Sequence, residues 1–251
     1  MEVFKSIPIG LGPDQVLKRL RLSRQSKYVE AIVQQLVEIA HPLVKPKAIY
    51  EVCYVEDRNE YSLNIGGIRF TSRVLRVNLD KVERVFPYIA TCGRELDEIV
   101  VPANDIMRSY CLDIVKEVVL RSALNYLEDY LKRTYALPQL STMNPGSLKS
   151  WPITQQKQLF SIFGDVEELI GVKLTGSYAM VPTKSVSGIY FPTEIQFESC
   201  QLCPREVCSE RKAPYAPDLA EKYRQKTNVD SAPGVRQRPT QGKVQQPPEP
   251  Q

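Results

Sequence analysis

Three of the six cysteines fall within nine residues, Cys200, Cys203 and Cys208, in the order C-x2-C-x4-C. A Cys-x-x-Cys turn aims two sulfurs at one ion, with backbone amides turned toward them. Pro204 stiffens the turn. Arg205, Arg211 and Lys212 favour thiolates and balance an anionic centre. Three thiolates suit an iron–sulfur cluster, or a zinc ion that borrows a fourth ligand. Cys53, Cys92, Cys111, His41 or a non-protein group are the alternatives for that position. Reduced thiols or a regulatory disulfide are the competing readings. The expectation is a metal centre at Cys200, Cys203 and Cys208, with iron–sulfur ahead of zinc.

A second chemical feature is the stretch KLTGSYAMVPTKSVSGIYF, residues 173–191. Its ends alternate like strands, its middle is small and polar, and Gly188 and Tyr190 close it. Small residues let backbone amides and carbonyls approach a ligand, and a tyrosine adds a flat face with one hydroxyl. The segment 137–152, LPQLSTMNPGSLKSWP, reads as a loop, long enough to suggest function. Small residues and a tyrosine also occur in any sheet, so alone they specify packing as readily as a site. His41 is the single histidine and sits between a helix and Pro42, a capping or surface position. Trp151 suits a pocket wall or a core anchor. There is no Walker loop, no G-x-G-x-x-G and no His–Glu metal motif.

The chain has 251 residues, 43% of them hydrophobic, enough for one substantial core. Its formal charge is +4, and Lys and Arg are scattered, without a basic stripe interleaved with aromatics. Nucleic acid is therefore not an expected partner. No apolar run approaches the roughly 18 residues of a membrane span, and the N-terminus is too interrupted for a secretory core. The expectation is a cytoplasmic protein with reduced thiols and no membrane partner.

The elements that must position these residues follow from periodicity. Residues 12–40 read as helical, with a stripe at Val29, Ile32, Val33, Leu36, Val37 and Ala40, ended by Pro42. Segments 48–57, 60–65 and 69–77 read as strands, the last two around the Gly66-Gly67 turn. LDKVERVF (79–86) reads as a short helix and YIATCG (88–93) as a strand. Residues 104–135 form one long helix capped by Asn104, with Asp113, Glu117, Arg121, Asn125 and Asp129 along its polar face. Segment 154–164 reads as a helix opened by Thr154, and DVEELIG as a short helix stopped by glycine. From Asn228 the chain is rich in Pro and Gln, without aromatics, and reads as disordered. The expected division is 1–195, a cysteine segment 196–227 and a tail 228–251.

The run LFSIFGDVEELIGVKLTGSYAMVPTKSVSGIYF resembles the activation (reactivation) domain of cobalamin-dependent methionine synthase. The matched residues are Gly171, Lys173, Leu174, Thr175, Ser177, Ala179, Met180 and Pro182, then Ser185, Val186, Ser187, Gly188, Tyr190 and Phe191. Small stand-alone versions of that domain exist, and this chain looks like one. The resemblance implies an α+β fold, a twisted antiparallel sheet flanked by helices, with a shallow S-adenosylmethionine site at the sheet edge. By the motif, Ser187, Gly188 and Tyr190 sit at that site, together with Asn144, Pro145 and Gly146 from the loop. The family's loop reads Arg-x-x-x-Gly-Tyr, and its arginine helps bind the ligand. Here Thr142 and Ser147 stand at the Arg and Tyr positions, and a guanidinium contact is lost. Lys149 is a nearby substitute charge.

What the resemblance implies about activity is reactivation of a corrinoid methyltransferase, methionine synthase foremost, by reductive methylation. Cobalamin arrives on the partner protein. An electron comes from a flavodoxin- or ferredoxin-like donor or through the cysteine cluster. S-adenosylmethionine supplies the methyl group, and no general acid or base is required. The alternative is a non-catalytic docking or electron-relay subunit for a corrinoid protein.

Overall fold

The computed structural model describes residues 1–20, 26–194, 197–208 and 211–225. The tail expected to be disordered lies outside these residues. Strand β1 (Glu2–Phe4) precedes helices α1 (Pro13–Leu20) and α2 (Lys27–Ala40). Four strands follow: β2 (Lys47–Tyr50), β3 (Cys53–Glu56), β4 (Ser62–Ile65) and β5 (Ile68–Thr71). Next come α3 (Arg73–Asn78), β6 (Arg84–Thr91) and the long α4 (Ile106–Thr134). The second half holds β7 (Leu140–Met143), α5 (Gln156–Ser161), α6 (Val166–Ile170), β8 (Lys173–Leu174), β9 (Met180–Val181), β10 (Ser185–Pro192) and α7 (Pro217–Gln225).

The main sheet is antiparallel and curled around β6. One flank of β6 pairs with β2 through Tyr50↔Tyr88 and then with β3 through Cys53↔Val85. The break between them, at Glu51 and Val52, falls opposite Pro87, where β6 has no N–H to offer. β1 extends the sheet from β2, and β4 and β5 extend it from β3. The other flank of β6 pairs with β10, and β10 with β7. Residues 85–91 are buried without exception because helices cover both faces of the sheet. Ala48, Tyr50, Phe86, Tyr88, Ala90 and Tyr190 point toward α1, α2 and α4. Val85, Met143, Ile189 and Phe191 point the other way, toward Trp151 and Leu159. Ile49 and Ile89 share that second face with α6.

Several elements form as periodicity dictates. The α2 stripe is buried from Val29 to Ala40, and Ser26 caps the helix by accepting the Val29 N–H. Gly171 ends α6 in the left-handed conformation, at φ 76°. Others differ from the sequence reading. Segment 48–57 is two strands. Ser72 accepts the Leu75 N–H at 3.3 Å and turns the chain into α3, so only the start of 69–77 is extended. The helix expected over 79–86 does not form. Val85 and Phe86 go to opposite faces of a sheet covered on both sides, and that period of two wins. Asp105, not Asn104, caps α4, accepting the Arg108 N–H at 2.9 Å. Thr154 caps nothing. The neighbouring Gln155 instead accepts the Thr71 N–H at 3.0 Å and donates to the Thr71 carbonyl, closing the exposed edge of β5. Among the described residues no helix is long and apolar enough to cross a membrane.

Candidate functional site

The site forms where β6, β10 and β7 lie side by side under α4. Register sets Gly188 opposite Tyr88 and Tyr190 opposite Thr142. Opposed residues of an antiparallel pair share a face, so Tyr88, Gly188, Tyr190 and Thr142 all look toward α4. The rings of Tyr88 and Tyr190 stack, with centroids 4.3 Å apart and planes inclined by 22°. Asn144, just past β7, folds over them. Its Nδ2 donates to the Ser187 carbonyl at 2.8 Å and to Tyr88 Oη at 3.0 Å. Tyr88 Oη also shares a proton with Thr142 Oγ1 at 3.2 Å.

This arrangement requires glycine at 188. A Cβ there would meet the Asn144 amide nitrogen, the Met143 carbonyl oxygen at 2.6 Å and Tyr88 Cε1 at 3.0 Å. Gly146 has φ +82°, and a Cβ on it would meet Ile153 Cδ1 at 2.9 Å. Pro145, between Asn144 and Gly146, is buried. Thus Asn144 meets the backbone of β10 directly, and Gly188 and Tyr190 lie beside it. Ser187 joins through its carbonyl. Its side chain lies on the opposite face by strand alternation, in line with Ile189.

A groove of about 530 Å³ runs between this sheet edge and α4. Tyr88, Thr142, Asn144, Val186 and Tyr190 form its floor, and Glu117, Leu120, Arg121, Leu124, Asn125 and Glu128 its α4 wall. Of the polar face expected on the long helix, Glu117, Arg121 and Asn125 line this cavity, and Asp113 pairs with Lys184 instead. Burial alone would raise the Glu117 carboxyl, but hydrogen bonds from Arg121 and Arg19 hold it below the ordinary range. Lys132 pairs with Glu128 along the helix. Burial raises the Tyr88 phenol, although the hydrogen bonds from Thr142, Asn144 and Tyr190 pull it back in part. Tyr190 is raised further, by burial first and then by Tyr88 and Glu128. Both remain neutral hydrogen-bonding phenols. Neutral phenols of this kind suit binding and positioning.

The cysteine segment contributes one residue, Lys212, to the lining of the same groove. Phe197 donates its N–H to Ser141 Oγ at 2.8 Å, and its ring stacks on Tyr223 with centroids 6.2 Å apart. Tyr223 donates to Asn78 Oδ1 at 2.9 Å, and burial pushes its phenol up to about 12. Cys200, Cys203 and Cys208 line a second trough of about 420 Å³ together with Thr142, Asn144, Gly146, Arg205 and Lys212. The troughs share Thr142, Asn144 and Lys212.

The expected metal centre does not appear. Among the described residues no group of three or more His, Cys, Asp or Glu side chains is placed to hold a metal ion. The loop is organised by a side-chain cation instead. Arg211 donates to the carbonyls of Cys200 at 3.2 Å, Ala213 at 3.4 Å and Cys203 at 3.5 Å, and to that of Arg205. The proposed fourth ligands are elsewhere: Cys53 is buried in β3, Cys92 after β6, Cys111 in α4, and His41 is exposed at the end of α2. Lys149 does not substitute for the missing loop arginine. It lines a different groove, of about 780 Å³, with Arg73 and Arg205. Trp151 is a core anchor, set edge-on to Phe70 at 6.4 Å.

Tyr88 and the α4 wall were not singled out by sequence reasoning. Tyr88 lies in the middle of a largely apolar strand, RVFPYIAT, and carries no motif. The signal for the wall was present, since Glu117, Arg121 and Asn125 lie at i+4 steps, but it is equally that of a solvated face.

The structure is an α+β domain whose curled antiparallel sheet carries a groove at its edge. Residues 145–200 match the family model described as vitamin B12 dependent methionine synthase, activation domain. The fold is similar to that of the crystal structure of the MetH reactivation domain bound to AdoHcy, at a TM-score of 0.52 and 13% identity, covering 86% of each chain. The sequence signature of this activation domain thus lies in the loop after β7, the last strands and the cysteine segment's first residues, and the fold as a whole is similar to that of the reactivation domain. No curated protein matches the chain in sequence.

Proposed function

We propose that the protein binds S-adenosylmethionine in the groove between α4 and the β10–β7 edge, and so supports reactivation of a cobalamin-dependent methionine synthase. The observation that carries this is the Gly188 contact: a missing Cβ lets Asn144 lock the loop onto β10 beside Tyr88 and Tyr190. The structural relative is an AdoHcy complex, and the groove volume suits a ligand of that size. Thr142, Asn144 and Asn125 give the groove neutral polar groups for the ligand's polar atoms, while Glu117 and Glu128 are already paired to Arg19, Arg121 and Lys132. Tyr88 and Tyr190 offer apolar rings with tethered hydroxyls.

Cobalamin, carried by the partner enzyme, supplies the nucleophilic metal that accepts the methyl group. This chain contributes binding and orientation, holding the sulfonium methyl at the mouth of the groove. The electron comes from a separate one-electron donor protein. Isothermal titration with AdoHcy tests the reading. Saturable binding in the micromolar range, weakened by Asn144→Ala, supports it. No binding at millimolar ligand overturns it and leaves a docking subunit.

A further inference from the structure

S-adenosylmethionine and AdoHcy share an amino-acid end whose carboxylate needs a cation. Two cations line the α4 groove, Arg121 and Lys212. Arg121 Nε is 3.0 Å from Glu117 Oε1, and Arg19 is paired to the same carboxylate. Lys212 has no carboxylate partner among the described residues, and it faces both the α4 groove and the cysteine trough. It is also the lining residue contributed by the cysteine segment.

The loop holds Lys212 in place from both sides. Its own N–H points at Cys200 Sγ at 3.4 Å, and the adjacent Arg211 is tied to the carbonyls of Cys200 and Ala213. Glu198, which opens the loop, bridges to Thr142 of β7. The lysine thus lines both troughs together with Thr142 and Asn144.

We propose that Lys212 is the cation that receives the ligand's carboxylate, so the cysteine-bearing segment completes the binding site rather than standing apart from it. This rests on the S-adenosylmethionine reading above. A charge-assisted contact of this kind is worth a loss of roughly ten-fold or more in affinity when removed. Arginine retains the charge, whereas alanine and glutamine do not.

The test compares two probes on the folded full chain. AdoHcy carries the carboxylate, and 5′-methylthioadenosine lacks the amino-acid end. Lys212→Ala and Lys212→Gln should each weaken AdoHcy roughly ten-fold or more and leave 5′-methylthioadenosine unchanged, and Lys212→Arg should restore most of the AdoHcy affinity. Lys212 is exposed, so its variants fold normally, which far-ultraviolet circular dichroism verifies. Equal AdoHcy affinity in wild type and Lys212→Ala overturns the inference while leaving the proposed function intact. Equal weakening of both probes also overturns it, because that marks a structural effect. Failure of the wild type to bind either probe removes the proposed function and the inference together.

Discussion

Gly188→Ala is a perturbation whose sign the structure decides. Gly188 lies in an extended strand that alanine adopts without strain. On backbone grounds alone the change should stabilise by about 0.4–1 kcal/mol, by restricting the unfolded chain. The new methyl group, however, would sit 2.6 Å from the Met143 carbonyl oxygen and 3.0 Å from Tyr88 Cε1. Met143 O belongs to a paired strand and Tyr88 is wholly buried, so neither yields easily. Overpacking of this kind costs roughly 1–3 kcal/mol. The Asn144 amide must also leave, losing its bonds to the Ser187 carbonyl and Tyr88 Oη, at about 1 kcal/mol each. The net expectation is a loss of about 2–4 kcal/mol, a fall in Tm of roughly 5–12 °C for a chain of this size. Urea unfolding of wild type, Gly188→Ala, Asn144→Ala and the double variant measures it. The Gly188→Ala penalty should shrink in the Asn144→Ala background, because one colliding group is gone. An unchanged or raised midpoint for Gly188→Ala refutes the reasoning about this contact.

Two further outcomes follow from the side-chain environments. A thiol reagent at pH 8 should modify Cys200, Cys203 and Cys208 quickly and the other three only on unfolding, since burial pushes Cys53 and Cys92 up to about 12 and raises Cys111 as well. Thiol counts of three native and six in denaturant confirm this. Glu117 is held below its ordinary value because its arginine partners outweigh burial, so its contribution to stability is present above about pH 4.3 and lost as pH falls through the folded-state value. Tm measured from pH 6 to pH 3 should therefore fall less steeply for Glu117→Gln than for wild type; parallel curves would contradict the pairing.

Part of the candidate site's geometry leaves a mark in sequence. Gly188 is required by close approach, and the spacing from Lys173 to Phe191 records two short strands and a long one. The loop positions Asn144 to Gly146 were legible only through the motif glycine of the resemblance, which the structure holds at φ +82°. The 79–86 helix was misread because Leu79, Val82, Val85 and Phe86 satisfy a helical period, and only the cover on both sheet faces decides against it. The cysteine spacing did not foretell how the loop is held. A C-x2-C turn has the same spacing whichever group its carbonyls meet, and in the structure that group is Arg211. Tyr88 and the α4 wall belong to the site through tertiary pairing, which no local pattern carries.

The central claim is that this groove presents a methyl donor to a partner's cobalamin. The most direct test uses an oxidised methionine synthase lacking its own activation region, a one-electron reductant and S-adenosylmethionine labelled in its methyl group. The account predicts that added protein restores turnover and that label moves from S-adenosylmethionine to the partner's cobalamin, with both effects lost in Asn144→Ala. Restoration without S-adenosylmethionine, or label transfer equal with and without the protein, would contradict it.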